Sequence, residues 1–489
     1  MFTPEPHPST YKPQASHLEE AHHGCACSNE PARRVHQQFM MAMADNAQQL
    51  QLQQSFSAFK QQSRFDLGPQ KSEQPIVLTN MRLFDGEQER LQTGLSLRIE
   101  GNLITAVEGS GVDHGEAIII DCHNHVVMPG LIDAHWHATL CAITEMQAMV
   151  ADVALIHLIA AKEAENTLLR GFTTVRDAGG PSFALKQAID SHVLHGPRIF
   201  PSGAMISQTS GHGDFRMRYE IPATPEQLSH SERAGVTLLA NGSAQVLQRV
   251  REQLLLGATQ IKLMAGGGVT SLYDPIDSVQ FTEKELKAGV QAAKDWGTYT
   301  MVHVYTPAGI RRAVECGVQS IEHGQLADED TARLMSDEGV WWSLQPFLDD
   351  EDANQHADPS TQKKQQQVAQ GTLYAYELAQ RFGINTAWGT DILFTPKNLP
   401  RQGHMLAKMT RFYSPLTALK IATGENGKLL ALSGNRNPYP APIGVLKANS
   451  MADLLIVDGE PDKNLDFLTR TEESIKAIIK DGLVYKWTL

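Results

Sequence analysis

A chain of 489 residues, 42% hydrophobic and 20% charged, has ordinary globular composition and room for one large barrel plus a smaller domain, or for two to three average domains. Its net charge of -13 disfavours nucleic acid or an anionic membrane surface as the main partner. The N-terminus MFTPEPHPST lacks the basic start and apolar core of a secretory signal, and no stretch reaches about 18 uncharged apolar residues, so a soluble, cytoplasmic protein is expected.

Residues 1–73 are rich in Gln, His, Ser and Pro, and NAQQLQLQQSFSAFKQQ offers one amphipathic helix with little to bury, which reads as a polar, partly disordered extension. Within it HHGCAC, ending in Cys25 and Cys27, has no second Cys or His cluster downstream to complete a metal site. With Cys122, Cys141 and Cys316 these make an odd number of cysteines in no disulfide framework, and reduced thiols are expected.

From Ile76 the texture changes to short alternating segments, IVLTNMRLFDG, LSLRIEGNLITAVEG and AIIIDCHNHVVMPG, which predict half-buried antiparallel strands. The same texture returns in GVLKANSMADLLIVDGEP and IKAIIKDGLVYKW, so residues 74–128 and 439–489 are expected to build one small β-sandwich domain from both chain ends. His123 and His125 fall in the first of these parts and read as domain or solvent residues rather than ligands.

Between them, over 129–438, strand-like runs alternate with helical patterns. The strands expected are GLIDAHWH, FTTVRDAGG, RIFPSG, TQIKLMAGGG, YTMVHVY, QSIEHG, VWWSLQPF and NTAWGTDI. The fold class that follows is α/β, a (β/α)8 TIM barrel, in which chemistry sits at the C-terminal strand ends. His135 and His137 stand at the end of the first strand, Lys262 on the fourth, His303 on the fifth, His323 on the sixth and Asp391 at the eighth. A spacing of two puts His135 and His137 on one face and Trp136 on the other. Imidazole and carboxylate suit zinc and related divalent ions, and four histidines plus an aspartate exceed what one tetrahedral ion takes, so two metals are expected. An ammonium beside two cations would be repelled, whereas Lys262 converted to a carbamate could bridge them.

On PGLIDAHWH, TTVRDAGG, SQTSGHGD, IKLMAGGGVTS, HVYTPAGI, SIEHG, GTD and MADLLIVDG the chain resembles the amidohydrolase superfamily, in its binuclear, carboxylated-lysine form. Within it the likeness is to the imidazolonepropionase-related group that includes Xaa-Pro and Xaa-Arg dipeptidases and the ochratoxin-degrading amidohydrolase, over about residues 76–489. The resemblance implies His135, His137 and Asp391 on the more buried metal, His303 and His323 on the other, and the Lys262 carbamate with a hydroxide between them. It implies a metal-bound hydroxide attacking an amide carbonyl, with Asp391 moving the proton to the leaving amine, and a homo-oligomeric assembly. Imidazolonepropionases and many deaminases of the superfamily keep one metal and no bridging lysine, so Lys262 argues against that branch.

The substrate expected is a dipeptide of Xaa-Pro or Xaa-Arg/Lys type or an N-acyl amino acid, with cyclic-amide or deaminase chemistry as the alternative and a non-catalytic scaffold as a reading from another class. In the long loop MISQTSGHGDFRMR, His212, Arg216 and Arg218 are candidates to meet a substrate carboxylate or the developing oxyanion; the resemblance favours His212, and Arg216 and Arg218 read first as solvated. Tyr273 is a second candidate for the substrate's carboxylate. Asp177 reads as a turn or capping residue, Gly266, Gly267 and Gly268 as close backbone approach beside the centre, and the acidic run 349–358 as a solvated loop rim, alternatively tuning preference for a basic side chain.

Overall fold

A computed structural model describes residue 72 and residues 74–489 apart from 225–226, 272 and 354–357. The extension expected over 1–73, with Cys25 and Cys27, lies outside the described residues but for Ser72. Cys122, Cys141 and Cys316 are free thiols, as expected.

All eight strands expected in the middle of the chain form. They are β7 (Leu131–Trp136), β8 (Phe172–Asp177), β9 (Arg198–Pro201), β12 (Ile261–Met264), β13 (Thr300–Val304), β14 (Ser320–His323), β15 (Trp341–Leu344) and β16 (Thr386–Trp388). Two three-residue strands, β10 (Met205–Ser207) and β11 (Thr237–Leu239), were not expected. Every pairing is parallel, in one sheet ordered β7-β8-β9 and another ordered β11-β10-β12-β13-β14-β15-β16. All residues of β7, β8, β9 and β12 to β15 are buried on both faces, which is why these runs lack the apolar–polar alternation of a half-exposed strand. The two sheets are tied by hydrogen bonds from Thr259 N, before β12, to Pro201 O of β9 at 2.8 Å and from Asp391 N, after β16, to His135 O of β7 at 2.9 Å.

Helices fill the crossovers because apolar positions recur there at helical spacing. In Glu283–Asp295 the buried residues are Leu286, Gly289, Ala292 and Ala293, and Thr282 with Glu285 closes a capping box at the start. The helix Pro307–Glu315 starts on a proline, whose missing N–H costs nothing at that position.

The chain ends form two five-stranded sheets. β1 (Ile76–Thr79), β3 (Leu95–Glu100), β4 (Leu103–Gly109), β5 (Ile118–Asp121) and β17 (Ser450–Met451) are ordered β17-β4-β3-β1-β5. β2 (Arg82–Leu83), β6 (Val126–Pro129), β18 (Leu454–Val457), β19 (Ile475–Lys480) and β20 (Leu483–Trp487) are ordered β2-β6-β18-β19-β20. Both sheets contribute to one apolar cluster, with Leu78, Leu97 and Ile104 from the first and Val127, Leu454 and Ile479 from the second. The antiparallel expectation needs correcting at two pairs, since β1 with β5 and β2 with β6 run parallel. The β3–β4 hairpin occupies one edge of β1, so the chain returns by a crossover and lays β5 along the other edge in the same direction. Gly130 alone separates β6 from β7, and a Cβ there would lie 2.0 Å from Thr173 Oγ1, so only glycine lets the chain pass between the two packed regions. Arg198 of β9 fastens the junction through Asp453 Oδ2 at 2.7 Å and Asp481 Oδ1 at 2.8 Å.

Candidate metal centre

The alternation of β7 sends Trp136 into the apolar core, 2% exposed, and turns His135 and His137 the other way. Their Nε2 atoms approach Asp391 Oδ1 at 3.4 and 3.2 Å, and the three residues offer ligand atoms all within 4.8 Å of one another. Lys262 Nζ lies 3.5 Å from His135 Nε2. The His323 ring stands 4.8 Å from that of His135 and 4.5 Å from that of His303, and His323 Nδ1 is 3.9 Å from Asp391 Oδ2. All six side chains line one cavity of about 110 Å³. Two of them sit on backbone that favours glycine, His323 at φ 74° and Asp391 at φ 54°, the kind of local strain that collects at functional sites.

Each imidazole is oriented through one nitrogen. His135 Nδ1 meets Glu322 Oε2 at 2.7 Å, His137 Nδ1 meets Gly179 O at 2.9 Å, His323 Nδ1 meets Gln345 Oε1 at 2.8 Å, and His303 Nε2 meets Gly267 O at 3.2 Å. Gln345 Nε2 donates to Ser343 O at 3.1 Å, which fixes the direction of that amide. Every one of these partners is an acceptor, so the oriented nitrogen carries the proton and the other keeps its lone pair, Nε2 in His135, His137 and His323 and Nδ1 in His303.

Protonation states follow from burial. It pushes His135 down to about 3, His323 to about 4 and His303 well below the usual range, so these rings are neutral. Burial also acts against the Asp391 carboxylate, yet the group is held well below the carboxylate range, and the Lys262 ammonium interacts favourably with its charge. Lys262 is brought down to about 8 by burial, against the pull of Glu322 and Asp391. Neutral imidazoles with free lone pairs and an ionised carboxylate are the forms a divalent cation takes as ligands, so the donor set fits a metal.

Behind the ring of ligand-type groups stands a polar layer that sequence reasoning missed. Glu322, fully buried, accepts from Arg176 Nη2 at 2.8 and 2.7 Å, and Arg176 also reaches Ala134 O at 2.6 Å, Tyr299 and Ser343. Asp133 accepts from His135 N, Thr390 N, Thr390 Oγ1 and Gln402 Nε2, bracing the β7 end against the segment after β16. Asp177 braces a turn, as expected, by accepting from Ala138 N and Ser182 Oγ, both at 2.8 Å. Tyr305 was also missed. It lines the cavity 5.2 Å from the His323 ring and 5.1 Å from the His303 ring, and burial keeps its hydroxyl protonated far above the usual range.

His212 lines the same cavity, stacked 4.2 Å from His303. Tyr273 is not brought to it: the ring is 45% exposed, faces Arg218 and is absent from the cavity wall. Arg218 is exposed as expected, but Arg216 is buried and paired with Asp214 at 2.8 and 2.6 Å, a pairing two residues apart that shields both charges. Gly266, Gly267 and Gly268 do mark close approach, since added Cβ atoms would lie 3.0 Å from Val304, 1.9 Å from Pro275 O and 2.0 Å from the His212 ring. His123 is exposed on the turn after β5, and His125 nears Asp458, so neither joins the cluster. The acidic run is not wholly a solvated rim. Asp350 and Asp352 line the cavity because Lys408 and Arg401 reach across to neutralise them. Glu351, Asp352 and His404 form a second group of ligand spacing, but those two cations already occupy its carboxylates.

A family model described as "Amidohydrolase family" matches residues 126–484. The chain belongs to the amidohydrolase family. It is accordingly a hydrolase acting on carbon–nitrogen bonds. Ochratoxinase of Aspergillus niger is 30% identical over 360 residues, covering 68% of this amidohydrolase and 72% of the relative. A solved prolidase in complex with N-methylphosphonate-L-proline is 33% identical, with a TM-score of 0.77 over 84% of this chain and all of the other (100%). A Xaa-Pro dipeptidase with methionine in its active site is 28% identical, with a TM-score of 0.71 over 84% of this amidohydrolase and 100% of that chain. Among the described residues no helix is long and apolar enough to cross a membrane.

Proposed function

We propose that this amidohydrolase cleaves the C–N amide bond of a dipeptide, of Xaa-Pro or Xaa-Arg/Lys type, or of an N-acyl amino acid, using two divalent cations. The observation that carries the reading is the convergence of four oriented imidazoles, Lys262 and Asp391 in one cavity whose remaining wall is largely apolar, with Met205, Phe215, Met264, Phe347, Leu348 and Met405. Such a wall suits the acyl or aromatic side chain of a small amide, and Asp350 with Lys408 gives it one polar end.

His135, His137 and Asp391 would hold one cation and His303 with His323 the other, with Lys262 as a carbamate between them. Zinc is the ion this donor set suits best. The pair would supply a water nucleophile at neutral pH and polarise the scissile carbonyl. Asp391 takes the proton from the attacking water and returns it to the leaving amine. Tyr305, held protonated beside His303 and His323, donates to the developing oxyanion, and His212, stacked on His303, contacts the substrate in the same cavity. Tyr273 would reach a substrate carboxylate only by leaving Arg218, and Tyr273→Phe tests that contact. In the same reading the two parallel sheets close as a (β/α)8 barrel over 129–438, the ends 74–128 and 439–489 form a β-sandwich, residues 1–73 are an extension, and the chain assembles as a homo-oligomer.

The test is to measure metal per chain before and after chelation, and to screen dipeptide and N-acyl amino acid libraries for released amino acid. Two metals per chain and a release abolished by chelation and restored by zinc are expected. Two bound metals with no turnover in either library would move the reading to a cyclic amide or deamination.

A further inference from the structure

The loop after β12 encloses His212 more tightly than a surface connection needs. The His212 ring occupies the space a side chain at Gly268 would take, with a Cβ there 2.0 Å from Cε1. Its backbone N–H donates to Gln280 Oε1 at 2.7 Å, and Gln280 Nε2 donates to Asp274 Oδ2 at 3.4 Å. Asp274 Oδ2 also accepts from Gly268 N at 2.7 Å and lies 3.5 Å from His212 Nδ1. Lys364, from the helix Pro359–Arg381, fastens this loop from outside through the carbonyls of Gly268, Ser271 and Asp274 at 3.3, 3.0 and 2.8 Å.

Inside this cycle two buried atoms have no hydrogen-bond partner, His212 Nδ1 and Asp274 Oδ1. Native loops rarely leave such atoms unpaired, and the Asp274 oxygen that faces His212 Nδ1 is the other one, Oδ2, which Gly268 N already holds in place. The 3.5 Å between Nδ1 and Oδ2 is at the long limit of a hydrogen bond and brings the carboxylate close enough to orient the ring.

We infer that Asp274 is a positioning residue for His212, holding the imidazole against His303 by its Nδ1 and leaving Nε2 for the substrate in the cavity. This rests on the amide-hydrolysis reading above for what the substrate is. Gly268 makes room for the ring and Lys364 keeps the loop in place, so the pair is built from three separate elements.

The test uses the full-length, metal-loaded protein. Asp274→Asn is expected to lower kcat about tenfold or more while KM moves less than about threefold, and metal per chain stays as in the wild type. Combined with His212→Asn it should be no slower than His212→Asn alone, because the two act as one unit. Asp274→Glu should recover part of the rate. An unchanged kcat in Asp274→Asn, multiplicative losses in the double variant, or loss of metal overturns the inference. If the wild type releases no amino acid, the hydrolysis reading fails by itself and nitrogen-15 spectra of labelled histidine still decide. The His212 signal, assigned by its absence in His212→Asn, should show Nδ1 protonated in the wild type and changed in Asp274→Asn; a bare Nδ1 in the wild type overturns it.

Discussion

The histidine at position 135 owes its orientation to a carboxylate that is itself held by an arginine, with all three side chains removed from water. Breaking a buried pair from one side is expensive because it strands the other charge, by about 3–5 kcal/mol. Glu322→Gln is therefore expected to lower the melting temperature and to bind less metal, since His135 loses a charged acceptor. Arg176→Met with Glu322→Gln should melt higher than Glu322→Gln alone, yet remain poor in metal; thermal melts and metal analysis of the three proteins check both halves. Asp391 makes a contrasting case. Asp391→Asn keeps an oxygen near His135 and His137 but cannot accept a proton, so kcat should fall about 10²–10⁴-fold while metal per chain falls far less, as steady-state kinetics beside metal analysis will show. The ligand-type residues were legible because their chemistry and strand-end positions are visible one by one. Glu322 and Arg176 were not, although SIEHG and TTVRDAGG contain them, because what defines their role is a contact between strands far apart in sequence.

Elements explain why the site assembles where it does. The parallel strands were readable from their apolar runs, and the helices between them from caps and 3.6-residue spacing. β10 and β11 escaped because each lies inside the long connection between β9 and β12 and its pairing depends on a neighbour rather than on its own sequence. The parallel pairs of the terminal sheets escaped for a similar reason, since alternation reports which face is buried but not which direction a partner runs. Gly389, just past β16, shows how closely two elements must meet. A Cβ there would lie 2.3 Å from His135 N, so the β16 end sits against the backbone of the first metal-type histidine. Gly389→Ala should push the two apart, destabilise the protein by about 1–3 kcal/mol, and lower metal retention on gel filtration in a chelating buffer. An alanine variant with wild-type melting and metal content would show that the approach is not rigid.

At the scale of the whole molecule the candidate centre is a stability element as well as a chemical one, because it gathers ionisable groups from β7, β12, β13, β14 and the segment after β16 into one buried volume. In the metal-free chain the folded state holds His135 down to about 3 and His323 to about 4, whereas the unfolded chain protonates them near 6.5. Depressed values mean that the unfolded state binds more protons as pH falls, so stability is complete above about 6.5 and is lost as pH drops toward the folded values. At pH 5 the difference amounts to about 2 kcal/mol for each of the two rings. Asp391 adds loss of the same sign at lower pH, being ionised in the folded state below the range in which an unfolded aspartate takes up a proton. Asp133 and Asp177 act the other way. Burial raises each to about 6, so their contribution is fullest below the unfolded carboxylate value and fades as pH rises through 6. The metal-free melting temperature should therefore fall on going from pH 7 to pH 5 in the wild type, and fall less in His135→Asn and His323→Asn, where one depressed ring has been removed. Cations bound to the folded state add stability in proportion to the logarithm of their concentration over Kd. Titrating zinc should thus raise the melting temperature of the wild type at pH 7 in a concentration-dependent way and leave Glu322→Gln nearly unmoved, which ties the global measurement back to the single buried carboxylate behind His135.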